Sequence, residues 1–174
     1  MKAGGPNYVA TLCRWADDEA VPVEDVRSAY RRWWAEVGTQ EQDATGLAAE
    51  RNGFRYRPLP GGVAVRFGAG ATDRQRALVS LASEVTGCRL VVSDSATESA
   101  SAFADRIAAL GVDRVRSIRD ADPDDLLAIA CHATDVVFDD SSPVGAAEIE
   151  LPRWLREQSL TVTTHRHGRI NAPE

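Results

Sequence analysis

Short runs of β-branched and aliphatic residues alternate with longer segments through the middle of the chain. The runs have the length of buried strands and comprise residues 62–67, 89–94, 113–118 and 135–140. The segments between them, 72–87, 99–111 and 122–134, are bounded by helix-capping residues. Strands that alternate with helices in this way indicate βαβ units with right-handed crossovers around a parallel sheet. The pattern therefore predicts an α/β fold with a small Rossmann-like sheet of four strands and three helices.

Capping residues set the ends of these three predicted helices. Thr72 opens the first helix and Gly87 closes it, while Ser99 and Gly111 bound the second helix in the same way. Asp122-Pro123 precedes the third helix as an N-cap followed by a proline at the first helical position. Acidic residues then fill its first turn, where the helix dipole favours negative charge.

An amphipathic helix is predicted ahead of this unit. Its apolar side chains follow one another at helical spacing and are Val23, Val26, Tyr30, Trp33, Trp34 and Val37. Gly38 is expected to end the helix in the left-handed conformation. Residues 39–61 show no period and finish in Pro-Leu-Pro-Gly, so an extended connector is expected there.

The C-terminal residues form a separate arm. We expect a short helix over 152–158 and then a strand with Leu160 and Val162 on one face. A lone final strand must pair with its own sheet, with another chain, or with a missing part of the same polypeptide. The predicted organisation is an extension containing a helix in 1–60, the Rossmann-like unit in 61–147, and a helix–strand arm in 148–174.

Composition and charge narrow the class of protein. Hydrophobic residues make up 44% of the 174 residues and charged residues 26%, as in soluble globular domains. The 26 acidic and 20 basic residues give a net charge of −6, which argues against nucleic acid or an anionic membrane as a partner. No apolar stretch is long enough to span a bilayer. The three widely spaced cysteines indicate a cytoplasmic protein without a disulfide framework.

The turn after the first strand of the unit is where a dinucleotide fold would bind pyrophosphate. That function needs G-x-G-x-x-G, so that bare backbone at a helix N-terminus can approach the phosphates. Gly68 and Gly70 match, but Asp73 occupies the third glycine position and places a carboxylate where a dianion would sit. Asp94 after the second strand could hold a ribose, which with Thr72 completes the candidate nucleotide cleft. We expect instead that the glycines serve a tight turn, that Thr72 caps a helix, and that this chain binds no cofactor.

The remaining reactive residues form no catalytic or metal-binding pattern. Cys131 and His132 are adjacent on a predicted helix, which points the two side chains about 100° apart and keeps base and nucleophile from facing each other. Cys13 and Cys88, like Cys131, are expected to be small core residues. The His-x-His motif at 165–167 lacks a third ligand for a metal ion. We therefore assign neither a catalytic residue nor a metal site.

Three stretches resemble one enzyme family. Residues 2–9 (KAGGPNYV) resemble the segment after the catalytic domain in aldehyde dehydrogenases of the glutamate-semialdehyde type, also called Δ1-pyrroline-5-carboxylate dehydrogenases. Residues 43–68 are similar to the connector that enters the extra C-terminal domain of bifunctional proline dehydrogenase/glutamate-semialdehyde dehydrogenases of the actinobacterial type. Residues 148–168 are similar to the motif that closes those enzymes. In this order the three stretches extend over essentially the whole chain.

The resemblance implies a supporting role in proline catabolism. The family oxidises proline with FAD and then oxidises the semialdehyde to glutamate with NAD, in parts that lie upstream of the stretch matching Lys2. No catalytic residue is carried over, so the chain alone is expected to be inactive. The family's extra domain is a vestigial Rossmann-like unit that packs on the NAD-dependent aldehyde dehydrogenase part and helps to seal its channel. The implied partners are those upstream proline dehydrogenase and aldehyde dehydrogenase domains, in cis or in trans.

The resemblance also implies where contacts to the partner lie. The matching positions at the entry are Gly4, Gly5, Pro6 and Asn7, and those at the exit are Arg153, Trp154, Leu155 and residues 157–164. The interaction residues expected on this basis are Trp154, Leu155, Leu160, Val162 and Thr164, acting chiefly through strand addition.

Several alternatives remain open. The chain could be a small nucleotide-binding module or the remnant of a truncated gene, and it could form homo-oligomers. The apolar stripe of Trp33, Trp34 and Trp154 could also fold back on the local sheet instead of meeting another domain.

Overall fold

A computed structural model describes residues 20–43, 50–119 and 124–163 of the chain. Helix α1 (Val23–Trp33) continues into a π-helical turn (Trp34–Gly38) and is followed by strands β1 (Gln42–Asp43) and β2 (Glu50–Pro58). The central unit comprises β3 (Val63–Phe67), α2 (Asp73–Thr86), β4 (Leu90–Asp94), α3 (Ala100–Leu110), β5 (Arg114–Ile118), α4 (Asp124–Ala133) and β6 (Val137–Asp139). Helix α5 (Ala147–Glu150), a 3-10 turn (Leu151–Trp154) and strand β7 (Leu155–Thr163) complete the order.

The central unit is a parallel sheet, as the sequence predicts. Its strands lie in the order β4-β3-β5-β6, and each neighbouring pair is parallel. Strand β3 is buried along its whole length because both of its faces are covered. One apolar cluster includes residues of α1, α2 and the 3-10 turn, and the other includes residues of α3 and α4. The predicted four strands and three helices are confirmed.

The predicted helix caps are also present where the structure describes them. Thr72 Oγ1 accepts from the Gln75 N–H, and Ser99 Oγ accepts from the Ala102 N–H. Gly87 and Gly111 have φ values of 68° and 59°, the left-handed conformation that ends a helix. The predicted cap at Asp122-Pro123 lies outside the described residues.

Gly38 corrects one prediction, because it does not end α1 in the left-handed conformation. It lies within the π-helical turn, and the capping residue Thr39 is right-handed, with φ −88°. A Cβ at Gly38 would stand 2.0 Å from Cε3 of the Trp34 ring. Glycine is therefore required here for the close approach of the indole, not for backbone handedness.

A second sheet joins the segments that precede and follow the parallel unit. Strands β1, β2 and β7 are antiparallel in that order, and β2 pairs with β7 from Glu50↔Thr163 to Pro58↔Leu155. Two predictions are corrected here. Much of the expected connector over 39–61 is the nine-residue strand β2. Helical structure in the arm ends at Trp154, so 155–158, expected to be helical, belongs to β7 because it pairs with β2.

The aromatic residues of the flanking segments pack on the local sheet, which was one of the alternatives left open. Trp33 and Trp34 are partly buried against the first apolar cluster, and the Trp33 ring centroid lies 5.5 Å from that of Tyr56 in β2. Trp154 has no exposed surface and belongs to the same cluster. The flanks therefore extend the core of the parallel unit.

Candidate functional site

The glycine turn after β3 has its backbone donors already engaged. The Gly68 N–H donates to the Ile118 carbonyl at 2.9 Å, the Gly70 N–H to the Arg119 carbonyl at 3.4 Å, and the Ala71 N–H back to the Gly68 carbonyl at 3.0 Å. A phosphate loop instead presents free N–H groups to its anion. The turn thus joins the ends of β3 and β5 through its own hydrogen bonds.

The start of α2 is closed in a similar way. The Thr72 N–H donates to Oε1 of Gln75 at 3.0 Å, while the Gln75 N–H donates to Oγ1 of Thr72 at 3.2 Å, which makes a reciprocal capping box. Asp73 follows as the exposed first residue of the helix, where its carboxylate complements the helix dipole. Groups of this chain therefore already interact with the positive, N-terminal end of the α2 dipole.

Asp94 lies at the carboxyl end of β4 and is held by two partners. Its Oδ1 accepts from the Ala96 N–H at 2.9 Å, and its Oδ2 accepts from Arg76 at 2.5 Å. The Ala96 N–H and then the Arg76 guanidinium lower the pKa of this carboxyl. Arg76 is itself fixed over the Phe67 ring at 4.5 Å. The carboxylate that could hold a ribose is thus part of an intramolecular turn and ion pair.

A polar network that the sequence patterns did not predict lies beside this turn. Arg66 is 1% exposed within β3 and donates to Ser93 Oγ and to the Glu98 carbonyl, both at 3.0 Å. Glu98 accepts from Ser93 at 2.6 Å and is paired with Arg106. The Arg106 hydrogen bond is the largest cause of a lowered pKa at Glu98. An arginine inside the apolar run 62–67 was the available signal for such a network.

The two cysteines that the structure describes are buried, and their thiols are poorly suited to act as nucleophiles. Cys131 is fully buried in the second apolar cluster, and burial raises the pKa of its thiol to about 11. Burial also raises the pKa of Cys88, which lies in the first cluster. His132, next to Cys131, is exposed instead of packed with it. The expectation that these thiols are core residues is confirmed, while Cys13 lies outside the described residues.

Thiol labelling should report this burial directly. A Cys13→Ser variant in native buffer at pH 8 is expected to react at a negligible rate with Ellman's reagent, because neither Cys88 nor Cys131 is accessible or ionised. In denaturing urea both thiols should become accessible and react stoichiometrically with the reagent. Rapid labelling of the folded variant would contradict the buried placement of the two cysteines.

A buried ion-pair network fixes the C-terminal arm to the sheet. Arg116 of β5 and Glu150 of α5 are both 0% exposed and pair directly. Glu150 also accepts from Arg153 at 3.2 Å, from the Trp154 Nε1–H at 3.0 Å, and from the Val144 N–H at 3.2 Å. Asp139 of β6 faces Arg116 at 3.3 Å; burial opposes the charge of that carboxylate, but Arg116 outweighs burial and lowers its pKa. This arrangement anchors α5 and the 3-10 turn under the parallel sheet.

Because of this anchoring, some of the expected interaction residues of the arm are buried and others are exposed. Trp154 and Leu155 are buried in the core of this chain, so their side chains are not open to a partner. Leu160 and Val162 on β7 are 39% and 44% exposed and are available to a partner. Thr164 lies outside the described residues, as do the entry positions Gly4 to Asn7 and the histidines of 165–167.

Other site types are absent from the described part of the chain. No group of three or more histidine, cysteine or acidic side chains there is arranged to hold a metal ion. None of the helices within those ranges has the length and apolar character that crossing a membrane requires.

Comparisons with known proteins show which solved fold this chain resembles. No family model matches the sequence, and no curated protein matches it. Among solved structures the chain is similar to Proline Utilization A (PutA) from Corynebacterium freiburgense, with 24% sequence identity and a TM-score of 0.62. The likeness covers 95% of this chain and 15% of that chain, so the protein described here spans only a small part of that relative's length. At this identity the comparison establishes a shared fold.

Proposed function

We propose that this chain is a non-catalytic structural and interaction region of a proline-catabolic enzyme related to Proline Utilization A. In this proposal it is a vestigial Rossmann-like unit that packs on an NAD-dependent aldehyde dehydrogenase part and seals it, in the cytoplasm. The likeness to the C. freiburgense protein supports it because the likeness extends over 95% of this chain. The three stretches that resemble the bifunctional enzymes support it independently, because they rest on local sequence instead of fold.

The observation that carries the proposal is the state of the glycine turn. The N–H groups of Gly68, Gly70 and Ala71 donate to backbone carbonyls, and the helix that follows is closed by its own capping box. In a working dinucleotide site such N–H groups are free to bind the pyrophosphate. Here, binding a pyrophosphate would first require breaking the hydrogen bonds that they make to carbonyls of this chain. A unit built in this way suits packing better than cofactor binding.

The arm supplies the interaction surface in this proposal. Trp154 and Leu155 hold its base within the core, while Leu160 and Val162, with Thr164 beyond the described residues, meet the partner. An exposed strand adds to a partner's sheet through main-chain hydrogen bonds, with alternate side chains providing specificity.

Domain replacement tests the proposal. We would delete from the C. freiburgense enzyme the region that matches this chain, and in a second variant replace that region with this chain. We expect the deletion to lose proline-dependent NADH formation and the replacement to recover a substantial part of it. The matched control is a replacement carrying Leu160→Lys and Val162→Lys, which keeps the fold but alters the contact surface.

Two results would overturn the assignment. One is NADH formation by the isolated chain with glutamate semialdehyde and NAD, because a non-catalytic region should give none. The other is a soluble replacement variant that recovers no more activity than the deletion, since a region that packs on the enzyme should restore its environment.

A nucleotide-binding module is the second candidate. The observation favouring it is that the glycine turn and Asp94 lie at the carboxyl ends of adjacent parallel strands, where doubly wound folds bind ligands. Calorimetric titration with NAD and with ATP separates the two candidates. Binding heat at micromolar ligand that is lost in an Asp94→Asn variant would favour the module.

A further inference from the structure

Strand β7 leaves one of its edges unpaired within the described part of the chain. Its sheet has the order β1-β2-β7, so β2 occupies one side of β7 and no described strand occupies the other. Eight of its nine residues are not buried. A long edge that presents unpaired N–H and C=O groups is a template for pairing with a further strand.

The residues of β7 do not protect that edge. From Gln158 to Thr163 the strand is uncharged, contains neither proline nor glycine, and alternates aliphatic with hydroxyl side chains. Natural proteins usually block an open edge with lysine, proline or a bulge, and strands of high β propensity and low charge associate readily. Its aliphatic members Leu160 and Val162 share the face of the sheet that carries Gly53 and Arg51.

The charge pattern of β7 fits a second copy of itself. Its only charged residues, Arg156 and Glu157, lie near its beginning. An antiparallel pair of such strands overlaps the two uncharged halves and keeps the like charges at opposite ends. A parallel pair would place each charge beside its equal, which is destabilising.

We propose that two copies of this chain associate through their β7 edges, antiparallel about a twofold axis at Ser159. In that register Ser159 faces Ser159 of the second copy, and Leu160 faces Gln158 of the second copy. The two Leu160 side chains are then diagonal neighbours within contact range on one face. The two three-stranded sheets become one continuous sheet with an isologous interface. In the proposed function the dehydrogenase part would occupy this same edge, so the interface describes the chain free of that part, and it goes beyond the proposed function.

Sedimentation equilibrium of the full chain over micromolar to submillimolar concentrations tests the interface. We expect a monomer–dimer equilibrium, and at least about a tenfold rise in the dimer dissociation constant for Leu160→Lys, because it brings two like charges together across the axis. Ile129→Lys is the matched control, since Ile129 is an exposed aliphatic residue of α4, 67% accessible, away from β7. Thermal melts followed by circular dichroism verify that both variants fold.

A disulfide tests the register. In a Cys13→Ser background, Ser159→Cys should oxidise to a covalent dimer, because residues opposite one another in an antiparallel pair have a Cα separation that suits a disulfide. Ser101→Cys, exposed on α3, should remain monomeric under the same oxidation. A chain that sediments as a monomer throughout overturns the proposal. So does a dimer that Leu160→Lys leaves as tight as the wild type, or one that Ser159→Cys fails to crosslink. None of these results bears on the replacement experiment, which tests the proposed function separately.

Discussion

Replacing Glu150 with leucine should lower the free energy of unfolding by about 3–5 kcal/mol, because it leaves a buried guanidinium without its closest countercharge. Arg116 and Glu150 are both 0% exposed, so solvent cannot take the place of the missing carboxylate. Leucine also removes the acceptor for the Trp154 indole N–H and the Val144 N–H. Urea denaturation measures the loss as a lower midpoint at unchanged slope.

The companion variants isolate the ion pair. Arg116→Met should cost a similar amount, and the double variant Arg116→Met/Glu150→Leu should cost less than the sum of the two single changes, since it leaves neither charge alone. A loss below about 1 kcal/mol for Glu150→Leu would be typical of an exposed pair and would contradict the buried anchor.

Trp154→Ala should also be strongly destabilising, by about 3–5 kcal/mol, the range found for truncating large buried aromatic side chains. The indole is the largest fully buried side chain of the described residues, and it joins the 3-10 turn to the core beneath β3. Differential scanning calorimetry and urea titration would both register the change.

Leu160→Ala provides the matched comparison for that variant. Leu160 lies in the same arm but is 39% exposed, so its truncation should change the free energy of unfolding by less than about 0.5 kcal/mol. Equal effects of the two truncations would show that Trp154 is not part of the core in solution.

The parallel unit was predictable because its local signals agree with one another. The run 62–67 is apolar enough for a central strand, and the neighbouring caps at Thr72 and Gly87 define the helix that must cover it. Asp73 in the glycine pattern likewise argued against a phosphate cradle, and Thr72 does cap the helix as predicted. These features depend on residues close in sequence, where capping and turn chemistry act.

The features that were mispredicted or missed depend on side-chain packing and on strand pairing. Gly38 was read as a helix stop, but its role is set by the ring of Trp34, four residues earlier, packed against it. Residues 50–58 carry no clear alternation, and they are a strand because β7 pairs with them. The burial of Arg116 could not be read from a strand that also contains Arg114, since the positions of Glu150 and Asp139 in space account for it. For β2 and for Arg116, long-range contacts override local propensity.

The pairing of β2 with β7 also determines when this fold can be completed during synthesis. Arg55 and Gln158 hydrogen-bond across the two strands although 103 residues separate them in sequence. The ribosome must therefore extrude the chain through β7 before β2 can pair with that strand, while the intervening parallel unit can fold first. Until then the side of β2 that pairs with β7 is open on the nascent chain, and slow translation of the β7 segment would lengthen its exposure to chaperones and to other nascent chains.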